Sequence, residues 1–283
     1  MVVLWNINKQ YLQNYVMKKI IIQGTIIIIV FLAIWLTLSQ IDWVKVFEVQ
    51  KVANKTEEKL GDIFWESIKN TEEENKNIHV RNSIKRIVHK ICESNNINKE
   101  TIKIHIVNKD EINAFVIPNG HLIVYSGLIL NSVNQEELIG VLCHEIAHIE
   151  LNHVMKKLIK EIGLSVLLSM TTGNGGIEII NETVKMLSSS AFDRRLEKEA
   201  DIKAVDYLIN AKVNPEPFAN FLYRLSIKEN DITEYLTWVS THPNSKERAE
   251  YIIEYSKHKS TNYKSILSVE EWEKLKKELN KLD

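Results

Sequence analysis

A chain of 283 residues with 45% hydrophobic and 26% charged residues has the composition of a folded protein, which excludes a disordered tail. Its 36 lysines and arginines nearly cancel its 37 aspartates and glutamates, so no basic field exists to hold nucleic acid. The two cysteines, Cys92 and Cys143, are too few for a disulfide framework and read as reduced, small apolar residues.

Residues 20–38 (IIIQGTIIIIVFLAIWLTL) carry no charge and have about the length of one membrane-crossing helix. Lys18 and Lys19 precede the run, and Asp42, Lys45 and Glu48 follow it without a positive excess. The charge bias puts residues 1–17 in the cytoplasm and everything after 18–39 outside it, on the periplasmic side in a Gram-negative cell. A cleaved signal beginning at Met17 is the alternative; the run is long for a signal core, and Thr37 and Ser39 make a poor cleavage site. Residues 40–77 read as a helical spacer with Leu60, Ile63, Phe64 and Ile68 on one face, ending in a polar hinge; packing of this helix on the following domain fits the same periodicity.

A globular domain is expected over 78–257, followed by a C-terminal helix within 258–283. Val80, Ile84, Ile87, Val88 and Ile91 stripe its first helix. Strands are expected at 102–107, 112–117 and 121–125, the last two joined through Pro118-Asn119-Gly120, a hairpin signal. Asn134 and Glu137 form a capping box for a helix running from Gln135 to about Lys160. Helices follow at 181–190, 194–210, 215–228, 245–257 and 269–282 after a glycine-rich loop at 171–176.

Within the long helix stands His144-Glu145-Ile146-Ala147-His148. Histidines at i and i+4 lie about 40° apart around a helix, so both imidazoles reach one metal ion, while the glutamate beside the first takes the place of a general base. Leu138, Ile139, Val141, Leu142, Ile146 and Ile149 surround the motif, so these polar groups enter a dry interior where an unpaired one is costly. A catalytic zinc needs a third protein ligand. His153 lies about 140° around a continuous helix from His148 and faces away, and the glycine and histidine of a metzincin are missing at Leu151 and Val154. Glu197 and Asp201 share a helical face, so one can bind zinc while the other orients a ligand histidine; Glu199 points elsewhere and reads as solvated.

The strings NAFVIPNGHLIVYSGLI, ELIGVLCHEIAHIELNH, DRRLEKEADIKAVDYL and STHPNSKERAEYI, in that order, resemble the HtpX- and BepA-like family of membrane-associated zinc metallopeptidases over about residues 78–257. The resemblance implies an α+β fold: a mainly helical, zincin-like, gluzincin-type metallopeptidase domain with a small β-sheet beside the active-site helix, after one N-terminal transmembrane helix. It further implies one zinc ion per subunit held by His144, His148 and Glu197, with Glu145 as base and Asp201 and Arg194 supporting the ligands from behind. His242 corresponds to a histidine that approaches or ligates zinc, or donates to the oxyanion. Asp193 departs from the serine usual before Arg194. The hairpin, through Asn113, Ala114, Phe115 and Val116, is expected to offer an edge on which an extended substrate adds as a strand, although the same pattern fits a buried sheet. The implied activity is peptide-bond hydrolysis in misfolded or unassembled envelope proteins. The alternative is an assembly factor that binds such clients through the same groove with proteolysis latent.

Overall fold

The computed structural model describes residues 23–25, 28–32, 49–173, 175–228, 237–257, 259 and 262–280. Of the expected membrane span, 23–25 and 28–32 are helical, with the apolar side chains of 28–32 exposed. The rest of 18–39, residues 1–17 and the flanking charges at 42, 45 and 48 lie outside the described residues. Among the described residues no helix is long and apolar enough to cross a membrane. Met1–Asn54 and Lys55–Asp283 form two compact units, the second holding the sheet and the site.

The fold is mainly helical with one three-stranded sheet, an α+β arrangement. Helix α1 (Val49–Thr71) buries Leu60, Phe64, Trp65 and Ile68, and α2 (Ile78–Ser94) buries the expected stripe beneath an N-cap formed by the Asn77 side chain. The polar segment between them is stitched to strand β1 (Lys103–Val107): Asn75 N–H donates to Ile106 O at 2.7 Å and Asn108 N–H to Glu73 O at 2.9 Å. Strands β2 (Ala114–Ile117) and β3 (His121–Tyr125) pair antiparallel, β1 pairs parallel with β3, and the sheet order is β1-β3-β2. The hairpin turn is as expected, with Asn119 at φ 64° and Gly120 at φ 68°. A Cβ on Gly120 would stand 1.8 Å from Thr101 O, so glycine is required there.

A short α3 (Ser126–Asn131) leads to α4 (Gln135–Glu150), which carries the metal motif and is buried almost throughout. Only half of its expected capping box forms. Asn134 accepts from Glu137 N–H at 2.9 Å, but the Glu137 carboxylate accepts from Val133 N–H and is drawn toward Arg224. Helix α4 also stops earlier than its periodicity suggests: Asn152 adopts left-handed φ 55°, and α5 (His153–Glu161) starts in a new direction. Next come α6 (Leu164–Thr171), α7 (Ile177–Ser189), α8 (Arg194–Asn210) and α9 (Glu216–Lys228). The short α10 (Thr237–Thr241), α11 (Ser245–Ser256) and α12 (Val269–Leu279) complete the order. Helix α4 is gripped by α8 and α9, closely enough that a Cβ on Gly140 would meet Phe218 at 2.3 Å. The Gln135 side chain, at its start, bonds the backbone of Ile266 and Leu267 ahead of α12.

Where α1 meets the sheet, Trp65 stacks on His105 with ring centroids 3.6 Å apart, and His105 Nε2 stands 2.9 Å from His121 Nδ1. Glu74 faces the outer side of His105, and Lys103 and Asp62 face His121. Burial, aided by nearby lysines, pulls both imidazoles down to about 4. An imidazole whose folded pKa lies below its unfolded value of about 6.5 takes up its proton first in the unfolded chain. The pair therefore stabilises the fold fully above pH 6.5 and loses that contribution as pH falls toward 4, by up to about 1.4 kcal/mol per pH unit for each ring. Urea unfolding between pH 7.5 and 4.5 should show this slope, and His105→Gln with His121→Gln should flatten it.

Candidate active site

Three elements bring the site together. Helix α4 presents His144, Glu145 and His148 on its inner side, α8 presents Glu197 and Asp201 one turn apart, and the end of α10 delivers His242. His144, His148, Glu197 and His242 each offer a donor atom within 4.8 Å of the others, and all four are buried. His144 Nε2 is 3.0 Å from His148 Nε2 and 3.2 Å from His242 Nδ1. Glu197 Oε1 is 3.0 Å from His242 Nδ1 and 3.4 Å from His148 Nε2, and its Oε2 is 3.6 Å from His144 Nε2.

The tautomers decide what such a cluster is for. Asp201 Oδ1 takes the Nδ1–H of His144 at 2.8 Å, which leaves a lone pair on the inward Nε2. On the other histidine the same result comes through a relay. Glu199 Oε2 takes the Nε2–H of His153 at 3.3 Å, so His153 Nδ1 accepts from His148 Nδ1–H at 3.0 Å, and His148 Nε2 also faces inward unprotonated. Burial lowers His148 to about 3 and His153 to about 4, which keeps both of these rings neutral. Two imidazole lone pairs and a carboxylate converging in a dry interior repel one another unless a cation lies between them. Zinc bonds to nitrogen at about 2.0–2.1 Å, so tetrahedral donors stand about 3.3 Å apart, matching the separations observed. The residues fit a zinc ion.

Behind the cluster, Arg248 on α11 binds Asp201 through Nε and Nη2, both at 2.8 Å, and Glu197 through Nη1 at 2.8 Å. Tyr251 adds its hydroxyl to Asp201. Burial alone would raise both carboxylates; His242, Arg248 and His144 hold Glu197 well below the usual range, and Arg248 and His144 hold Asp201 at about 2. Glu145 differs. Both of its oxygens are fully buried without a hydrogen-bond partner among the described residues, and His242 Nε2 stands 3.4 Å from Oε1 without hydrogen-bond geometry. The Trp238 indole N–H leans toward it and is also without a proper partner. Burial first, and the charge of Glu197 second, raise the Glu145 pKa well above the carboxylate range. Trp238 stacks on His242 at 4.5 Å and Phe192 lies against His148 at 4.2 Å, so aromatic rings wall the imidazoles.

The structure thus gathers His144, Glu145, His148, Glu197, Asp201 and His242, but not Arg194, which is exposed at the start of α8. Arg248 occupies the supporting position instead; it lies six residues beyond His242 in the STHPNSKERAEYI string, where nothing in the pattern marks it as buried. His153 does not face away. The left-handed Asn152 swings it behind His148, and Glu199 is bound to it rather than solvated on both sides. Ala114, Phe115 and Val116 do lie on an edge strand by sheet order, with Asn113 just before it, yet all four are buried, with α4 and α7 packed on β2 and Asn113 Nδ2 bonded to Ser188 O. The expected exposed edge is covered.

Residues 79–256 match peptidase family M48. The chain belongs to this family. Among relatives of the M48 chain, metalloendopeptidase OMA1 of Bos taurus mitochondria is 28% identical over 60% of this chain and 36% of its own length. Metalloprotease LoiP of Escherichia coli is 29% identical over 56% of this chain and 64% of its own. A beta-barrel assembly-enhancing protease of Yersinia pestis is 27% identical over 49% and 31%. The M48 chain therefore spans about a third to two thirds of these relatives. For it, chelator competition should report one tight zinc site, and Asp201→Asn should weaken that site by about 10- to 100-fold, as loss of a partner orienting a ligand histidine does.

Proposed function

We propose that the chain is a zinc-dependent endopeptidase, with His144, His148 and Glu197 as the zinc ligands and Glu145 as the general base. The observation that carries this is Glu145: a buried carboxylate with no structural partner and a place beside the donor cluster suits a group that accepts and returns a proton. Zinc bound at the cluster supplies Lewis acidity toward a peptide carbonyl and toward water. Glu145 takes the proton of the attacking water and passes it to the leaving amine. His242, whose Nε2 lies on the Glu145 side, would donate toward the oxyanion. Asp201, Arg248 and the Glu199–His153 relay keep the ligand imidazoles in the tautomers that the step needs. With the full chain, hydrolysis of unfolded casein should fall by at least about 100-fold in Glu145→Gln while zinc content is unchanged. Equal hydrolysis by the variant would reject the assignment.

Misfolded or unassembled envelope proteins are the proposed substrates, and a membrane-anchored domain outside the cytoplasm the proposed setting. In support stand the uncharged run at 20–38 and the name of a relative that enhances beta-barrel assembly. An extended substrate would pair with β2 once α7 moves aside. The domain division at 78 and 257 belongs to the same reading.

A second reading, in which clients are held and proteolysis is latent, is favoured by one observation: His242 Nδ1 sits in the cluster as a fourth donor, and the whole cluster is buried. A fourth protein ligand takes the position that a catalytic zinc keeps for water. His242→Ala should then raise casein hydrolysis; a fall would leave His242 with the oxyanion role alone.

A further inference from the structure

One cavity outside the donor cluster is built from the segments that carry the donors. After the break at Asn152, α5 brings Lys156, Lys157 and Lys160 to one side of it, and the stretch leading into Glu197 brings Phe192, Asp193 and Arg195 to the other. The space is about 270 Å³, the size of a side chain or chain end rather than of a cofactor. Phe192 is the wall it shares with the zinc cluster: the ring lies 4.2 Å from the His148 ring and 4.3 Å from the Lys157 ammonium.

Its charges do not balance. Four cations line it against two carboxylates, Glu161 and Asp193, and Lys160 pairs with both of these. Among the described residues, Lys156, Lys157 and Arg195 meet no carboxylate at ion-pair distance. Lys156 and Arg195 are exposed and solvated, but Lys157 is 5% exposed, held by the Ser190 carbonyl and the face of Phe192. A lysine is rarely buried this deeply without an anion, since leaving water costs an ammonium several kcal/mol.

We propose that this cavity is a specificity pocket that binds a substrate carboxylate, with Lys157 and Arg195 as its cationic contacts. The inference rests on the peptidase reading and names a preference for the same site: peptides carrying either an acidic side chain close to the scissile bond or a free C-terminus near it. Phe192, which touches a metal-site histidine on one side and the pocket lysine on the other, fixes the pocket within a residue or two of the reacting carbonyl.

The test is a binding measurement on zinc-loaded full-length protein carrying Glu145→Gln, which removes turnover. Fluorescent, uncharged, acetylated and amidated decapeptides are compared with versions bearing one glutamate at each position in turn, with the glutamine isostere at the same position as control. A further version has an unblocked C-terminus. The expected result is that one position of glutamate, or the free C-terminus, binds about 10-fold tighter than its neutral control, as one charge-assisted contact allows. Which of the two gains affinity identifies the source of the carboxylate. Lys157→Met and, at the exposed position, Arg195→Gln should each bring the ratio close to one, with circular dichroism confirming that the variants fold. Ratios within twofold everywhere, binding of no peptide, or a preference that survives both substitutions overturns the pocket. Casein hydrolysis by the unsubstituted chain, run in parallel, reports on the peptidase reading separately, because it succeeds or fails whatever the peptide ratios are.

Discussion

The centre of this fold depends on how one guanidinium is shared. Removing Asp201 and Glu197 from water is costly, and Arg248 offsets that cost for both, offering its planar fork to Asp201 and its remaining amine to Glu197. Because Asp201 stays ionised, it can hold the outer N–H of His144; because Glu197 stays ionised, it can face a cation. Glu145 lies in the same interior and receives no such bond. Two glutamates from neighbouring helices are thereby shifted in opposite directions, Glu197 well below the usual carboxylate range and Glu145 well above it.

The surrounding rings extend this division. Trp238, Phe192 and Phe218 stand against the imidazoles, so the donors meet protein rather than solvent on most sides. A dry surrounding strengthens every charge interaction within it. It also means that the order of the donors is fixed by carboxylates behind them and not by water, which is why an exposed residue such as Glu199 still acts on His148 through His153.

Much of the site was legible because it rests on helical spacing. The i and i+4 positions of His144 and His148, and of Glu197 and Asp201, put each pair on one face wherever the helices pack, and burial of the first pair followed from the apolar residues around it. What escaped depends on departures from spacing or on distant neighbours. The extrapolation of α4 through residue 160 failed at Asn152, a weaker stop signal than glycine or proline, and the position of His153 failed with it. Arg194 and Arg248 are both arginines in helices with polar faces; only the packing of α11 against α8 selects the second. The strand pattern of β2 correctly gave its pairing, but alternation within a strand carries no record of what lies beyond its edge.

The side chain of Gln135 joins the first turn of the motif helix to residues 266 and 267, and α12 beyond them buries Trp272, Leu275 and Leu279 against α2 and α3. The family match ends at residue 256. The cooperative unit is consequently larger than the family's footprint: a fragment trimmed to the matched residues would bare an apolar face on α2 and leave a buried amide at the start of α4 with nothing to hold. A stretch beyond the family match is, in energetic terms, part of the floor on which the matched helices stand.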